Sequence, residues 1–328
     1  MTPIASGGRP LLRIIVGSTA SGKERLALAV AERLGGEIVS VDSMKVYRGL
    51  DIATAKASPA DRRRVRHHCL DLVDPEENFS AADFAAAADA AIEDIAGRGK
   101  IPVLSGGAAF YFKALIEGLF KGPGADTETR AGLEARAASE GTAALHAELS
   151  RLDPAAAAKI HPSDLRRLVR ALEVAGLTGE PISARQREWA GFHAQAGESA
   201  PFSEPRHPFV MVRIARTRDD VRRRIRERVG RMVAAGLEKE AKALYERRDR
   251  LSRTPLQAVG YKELFPFFSG EATWDECVER LVLATNRLVR SQDTWFRKFP
   301  AREIAGGEDD DAGELADRLA RGVFGPEQ

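Results

Sequence analysis

GSTASGKE, residues 17–24, matches the phosphate-binding loop pattern G-x-x-x-x-G-K-[ST] at every position except the last. Before it runs LLRIIV (11–16), a short apolar stretch bounded by Pro10 and Gly17 that reads as a buried strand. After it, Leu26, Ala27, Val30 and Leu34 recur at helical spacing from Lys23 until Gly35-Gly36 stops the run. A strand, a Gly-rich turn and a helix N-terminus make an anion site, because backbone N–H groups face one point and the helix dipole adds positive potential. Gly17, Ser18, Thr19, Ala20, Ser21 and Gly22 would form the cradle, and Lys23 would add a point charge. The last position departs: where a hydroxyl would hold magnesium stands Glu24, which cannot donate to phosphate but can ligate a hard cation. Three readings stay open: Glu24 holds the metal directly or through water, it points away, or the site is impaired.

EIVSV (37–41) reads as a second strand ending at Asp42, Cys69–Val73 as a third, and IPVL (101–104) as another, ended by Ser105-Gly106-Gly107. A helix begins at Ser80, where Asp83 completes a capping box, and runs to about Arg98; another passes through Phe112 and Leu115. Alternating strands and helices predict an α/β fold, a P-loop-like parallel sheet flanked by helices, with ligands at the carboxyl ends of the strands. Residues 17–23, Asp42-Ser43 and Ser105–Ala108 should then converge on one crevice. Residues 11–121 and 206–300 make the expected catalytic core. Residues 122–205 turn Ala-rich and helical and read as an all-helical insertion. HPFVMVRI (207–214) returns as a strand, and helices follow at about 219–235, 237–248 and 273–299. The acidic, Gly-rich stretch from GGEDDDAGE onward makes 301–328 an expected flexible tail.

A chain of 328 residues exceeds one average domain, and 44% hydrophobic content supports a sizeable core. The net charge of +2 does not argue for nucleic acid, but its distribution does. Ten arginines lie between Arg206 and Arg231, opposed by Asp219, Asp220 and Glu227 alone. Arg166, Arg167 and Arg170 form a second cluster, and Arg287, Arg290, Arg297 and Lys298 a third. One such cluster is usually a solvated helix face; three in a near-neutral chain point to an RNA surface. Cys69 and Cys277 have no metal-ligand spacing and fit a reducing compartment. There is no signal architecture and no apolar run of the ~20 residues a membrane span needs. A cytoplasmic chain with no membrane contact, acting as a monomer, is expected. His67, His68 and His161 lack the partners of a zinc site and read as turn or core residues. Phe110-Tyr111-Phe112 reads first as core and second as the lining of a base channel.

VDSMKVYRGLDIATAKA (41–57), HHCLDLVDP, FSAADF, SGGAAFYFKALIEG, IHPSDLRRLVRALEV, AVGYKEL and TNRLVRSQDTWFRK follow the loop in that order. Together these blocks, from about Leu11 to Phe299, resemble the tRNA dimethylallyltransferases, also called tRNA isopentenyltransferases. The resemblance implies transfer of a dimethylallyl group from dimethylallyl diphosphate to N6 of the adenine just 3′ of the anticodon, in tRNAs reading codons that begin with U. It implies that the kinase-like loop holds a diphosphate leaving group rather than splitting ATP. By position, Asp42 matches the family's catalytic carboxylate, Lys23 and the loop amides its diphosphate cradle, and Arg218 and Arg224 two arginines near the diphosphate, with Mg2+ sharing the neutralisation. Asp42, Ser43, Met44 and Lys45, with Arg166, Arg167, Arg170, Arg287 and Arg290, would face the tRNA anticodon stem-loop.

This sequence departs from the resembled pattern at Glu24, at Ala108 where Thr follows the paired glycines, at Lys45 where Gln is common, and at Asn286 and Ser291 where Arg is usual. Other functions remain to be weighed. A small-molecule kinase would need the hydroxyl at position 24 and no basic helices. A transferase acting on free adenine nucleotides would lack the insertion. A catalytically impaired RNA-binding relative would be supported by Glu24 and Ala108, and opposed by intact Asp42 and Lys23.

Overall fold

In the computed structural model, which describes residues 9–119, 122–188, 205–306 and 312–325, β1 (Leu12–Val16) is buried along its whole length. Beside it run β2 (Glu37–Val41), β3 (His67–His68), β4 (Pro102–Gly106), β5 (Phe209–Ala215) and β6 (Arg302–Ala305). They form one sheet in the order β3-β2-β4-β1-β5-β6, with every neighbouring pair parallel. Parallel strands need crossovers that cover both faces of the sheet, which is why β1, β2 and β4 read as continuous buried runs.

The crossover helices begin and end where their sequences say they should. Helix α1 (Lys23–Leu34) stops at Gly35 in the left-handed conformation. After the short α2 (Pro59–Arg64) comes α3 (Ala81–Gly97), opened by the Ser80–Asp83 capping box, and then α4 (Ala109–Glu117). The chain divides into two compact units, Met1–Ile116 with Pro205–Gln328, and Glu117–Glu204. The second contains α5 (Thr127–Glu140), α6 (Thr142–Leu152), α7 (Pro154–Ala157), α8 (Leu165–Thr178) and α9 (Ile182–Glu188), with no strand among its described residues. It has its own core of Leu145, Leu149, Leu168, Leu172 and Val174. The first unit resumes with β5 and then α10 (Arg218–Ala234), α11 (Leu237–Tyr245), α12 (Arg253–Leu256), α13 (Phe265–Phe268), α14 (Trp274–Phe296) and α15 (Ala312–Arg318).

The strand register places the site. Val16 of β1 and Val41 of β2 both pair level with Gly106 of β4. Three strands therefore end at one height, and the segments that follow them meet outside the sheet edge.

Two sequence expectations are corrected. The third strand is not Cys69–Val73: Cys69 and Asp71 take positive φ of 59° and 55°, which breaks extended backbone. Pairing is confined to His67–His68 and one isolated bridge between Tyr47 and Val73. The segment 301–328 is not a loose tail where it is described. β6 adds to the sheet beside β5, and Leu315, Ala316, Leu319 and Phe324 are buried in one cluster with Leu26, Ala27 and Val30 of α1. Arg33 of α1 donates to Asp317 of α15. The acidic run 307–311 lies outside the described residues.

Candidate active site

The loop after β1 is shaped by contacts that exclude side chains. A Cβ on Gly17 would lie 2.6 Å from the Ser21 hydroxyl. Ala20 and Gly22 both take positive φ, 66° and 91°; at Ala20 this carries the left-handed penalty of ~1 kcal/mol. Gly22 caps α1 without a side-chain hydrogen bond, so no N-cap side chain competes for the first amides of the helix. The buried Ser21 hydroxyl has no hydrogen-bond partner among the described residues.

Lys23 is 7% exposed, and its ammonium lies 3.4 Å from the Ser18 carbonyl. Burial pulls its pKa down to about 8, against the opposing charge of Glu24. Asp42 follows β2 directly. Its Oδ1 accepts from the backbone N–H of Met44 (2.8 Å) and of Lys45 (3.3 Å), which fixes the carboxylate at the strand end. Lys23, Glu24, Asp42, Lys45 and Arg228 act on one another as charges, so the loop, the β2 end and α10 share one electrostatic site.

The third strand end closes the crevice by backbone contact. A Cβ on Gly106 would lie 1.9 Å from the Val41 carbonyl oxygen, and one on Gly107 would lie 2.5 Å from Gln292 Nε2 and 3.9 Å from Lys23 Nζ. The paired glycines are required by the approach of β2 and α14. Ala108 donates its N–H to Val41 at 3.2 Å, a bond that needs no side chain. Gln292, on α14, ties the two segments together. Its Oε1 accepts from Thr19 N–H at 2.8 Å, and its Nε2 donates to the Gly107 carbonyl at 3.0 Å.

The family model described as IPP transferase matches residues 45–299. The chain belongs to that family. It is 46% identical over 296 residues to the tRNA dimethylallyltransferase of Geobacter sulfurreducens, covering 90% of this chain and 92% of the relative. It is 45% identical over 290 residues to that of Methylococcus capsulatus, covering 88% and 90%. Among solved structures, it is similar to the full-length tRNA isopentenylpyrophosphate transferase of Bacillus halodurans, with a TM-score of 0.66, 38% identity and coverage of 94% and 95%. It is also similar to a eukaryotic dimethylallyltransferase captured acting on tRNA, with a TM-score of 0.75, 25% identity and coverage of 94% and 77%. The parallel α/β architecture expected from the sequence is the one these prenyltransferases share.

Within this family site, the expected residues fall into two groups. Gly17 to Lys23, Asp42, Ser43 and Met44 lie at the converging strand ends. Lys45 is turned inward rather than toward a nucleic-acid surface: its side chain is 5% exposed, and its ammonium meets Glu24 Oε1 at 3.0 Å. Burial opposes ionisation of Glu24, but Lys45 and Lys23 hold its pKa down at about 2. Arg218 is exposed in the first turn of α10. The arginine that reaches the loop is Arg216, whose Nε donates to the Ser21 carbonyl at 2.6 Å, while its Nη1 pairs with buried Asp220 at 2.9 Å. Asp220 also pairs with Arg224 at 2.9 Å and with Arg223. Positions 220, 224 and 228 are four apart on one face of α10, and Arg216, just after β5, reaches Asp220 from before the helix begins. The sequence signal for Arg216 is its spacing: an arginine at the end of a strand, four residues before the first acid of the stripe. Gln292 carried no comparable signal, because its partners are hundreds of positions away in sequence.

The basic clusters divide as well. Arg287 and Arg290 are exposed on α14, in the same helix as Gln292. Arg166 and Arg167 are exposed at the start of α8, the latter 3.3 Å from Asp164. Arg170 is tied into the unit's interior: it pairs at 2.6 Å with Glu173, which is fully buried and also holds Arg130 at 2.7 Å. Tyr111 stacks on Phe84 and Phe112 meets Phe296 edge-on, so two of the three aromatics are core, while Phe110 is 49% exposed. His68 bonds Glu37 at 2.7 Å and His161 bonds Ser163, as structural histidines do.

Proposed function

We propose that this chain transfers the dimethylallyl group of dimethylallyl diphosphate to N6 of the adenine just 3′ of the anticodon, in tRNAs reading codons that begin with U. The observation that carries this reading is one carboxylate, Asp42 after β2, acting on one buried ammonium, Lys23 after β1, at strand ends that flank β4, beside a helix N-terminus without a side-chain cap. Such a site can bind a diphosphate on one side and a proton-losing amine on the other. The family relatives named for this activity support it.

The exocyclic amine is a weak nucleophile because its lone pair is delocalised into the ring. As the N6–C bond forms, Asp42 takes the N6 proton, and the lone pair becomes available as attack proceeds. The allylic C–O bond breaks, and the diphosphate leaves with the electron pair. Lys23, the loop amides and Arg228 stabilise the charge that grows on it. Arg216 holds the loop in shape from behind through Ser21. The base must be extruded from its stack to reach Asp42. Arg287 and Arg290 on α14, and Arg166 and Arg167 on α8, present the cationic surfaces that neutralise phosphates.

Magnesium, when bound, would add positive charge to the leaving diphosphate. Glu24 and Asp42 have the oxygen chemistry a hard cation takes, and diphosphate oxygens would complete the set. The test is a transfer assay with labelled dimethylallyl diphosphate, an anticodon stem-loop and AMP as a competing acceptor. Label in the stem-loop and not in AMP supports the reading; label in AMP sinks it.

A further inference from the structure

The residue at position 24 breaks the phosphate-loop signature, and the residue it meets lies twenty-one positions away. Lys45 is buried, yet among the described residues its ammonium has a single carboxylate partner within ion-pair distance, Glu24 at 3.0 Å. The pair lies beside Lys23 and Arg228. A buried ammonium carries a large desolvation cost unless it is paired, and an anion in the first turn of a phosphate-binding helix repels the ligand unless it is neutralised. Each residue removes the liability of the other. The carboxylate that would otherwise ligate a divalent cation is thus engaged by a cation of the protein's own.

We propose that Lys45 is a positioning residue of the diphosphate site: its ammonium occupies Glu24 in place of a divalent cation, so that diphosphate binding depends less on metal than a free carboxylate at position 24 would require. Metal and Lys45 compete for one carboxylate. When metal takes Glu24, Lys45 is released toward the bound diphosphate; when metal is absent, Lys45 keeps Glu24 from repelling it. This inference rests on the reading that the loop holds a diphosphate.

The test is a double-mutant cycle on the full chain, reading the Kd of dimethylallyl diphosphate by calorimetry without RNA, in EDTA and then in Mg2+. Lys45→Gln leaves Glu24 bare, so metal-free affinity should fall about tenfold and the tightening produced by Mg2+ should grow. Glu24→Ser frees Lys45, so metal-free affinity should rise. The double variant Glu24→Ser/Lys45→Gln has no carboxylate left to neutralise, so it should bind within about threefold of the parent and, unlike Lys45→Gln, show no enlarged Mg2+ dependence. A double variant as weak as Lys45→Gln, or a Lys45→Gln variant with unchanged metal-free affinity and unchanged Mg2+ dependence, would overturn the inference. If Lys45→Gln does not fold, Glu24→Ser against the double variant decides. No binding by the parent under either condition would remove the diphosphate reading, and this inference with it.

Discussion

Gln292 Oε1 accepts a hydrogen bond from the backbone N–H of Thr19 at 2.8 Å, across 273 residues of sequence. Its amide nitrogen reaches the Gly107 carbonyl from the same side chain. A single amide on α14 thereby sets the spacing between the phosphate loop and the end of β4. Gln292→Leu keeps much of the volume and removes both bonds. It should raise the KM for dimethylallyl diphosphate and destabilise the protein by about 1–2 kcal/mol, a typical cost for two lost bonds partly open to water. Denaturant unfolding beside steady-state kinetics checks both; unchanged KM would show that the loop keeps its shape without the clamp.

Asp42→Asn retains an oxygen able to accept from Met44 and Lys45, so the turn after β2 should survive. It removes the proton acceptor. The predicted result is a fall in kcat of about 10²–10⁴, with dimethylallyl diphosphate affinity within a few-fold of the parent. Equal losses in affinity and kcat would instead place Asp42 in the diphosphate cradle.

Lys23 gives a pH signature. Its pKa in the free protein is about 8, against an ordinary value of 10.5. The charged form binds diphosphate, and a bound anion raises the pKa. Affinity should therefore be flat below pH 8 and weaken by about tenfold per pH unit above it, until the pKa of the complex is reached. Without ligand the stability effect has the opposite sign. The unfolded chain holds its lysine proton up to pH 10.5 while the folded chain releases it near 8, so stability rises with pH across that window. Lys23→Met should abolish the rise in the calorimetric Kd and the stability gain alike.

Arg170 serves a buried carboxylate, whereas Arg166, Arg287 and Arg290 are exposed. Arg170 and Arg130 hold the buried Glu173 carboxylate below its usual range against the effect of burial. Arg170→Ala should lower stability by about 1–2 kcal/mol, less than a fully buried pair because Arg130 remains and both arginines are partly exposed. Arg166→Ala, Arg287→Ala and Arg290→Ala should leave stability within about 0.5 kcal/mol. Each should also reduce the slope of log affinity against log salt for a stem-loop by about one. An Arg170→Ala variant that is stable but weak in RNA binding would reverse this assignment.

Much of the scaffold is legible in the sequence because its signals are local. The bounds of α1 follow from Lys23 and Gly35, and those of α3 from Ser80 and Asp83, each set by a cap within a few residues. The anion loop and Asp42 are legible for the same reason. What escapes is decided across distance. The pairing of Lys45 with Glu24 depends on how β2 and α1 lie together, and Arg216 rather than Arg218 reaches the loop because it leaves the end of β5 beside Ser21, whereas Arg218 is exposed where α10 begins. The end of the chain misleads because an acidic run masks the apolar positions that follow. Leu315 and Leu319, four apart, and Phe324 carry the signal that a helix packs there.

The most direct measurement is nucleoside mass spectrometry of an anticodon stem-loop incubated with the protein, dimethylallyl diphosphate and Mg2+, with Asp42→Asn run beside it. The predicted result is N6-(dimethylallyl)adenosine at the adenine just 3′ of the anticodon, formed by the parent and reduced at least about a hundredfold in the variant. An unmodified stem-loop that is nevertheless bound, by a folded protein that also binds dimethylallyl diphosphate, would contradict the account.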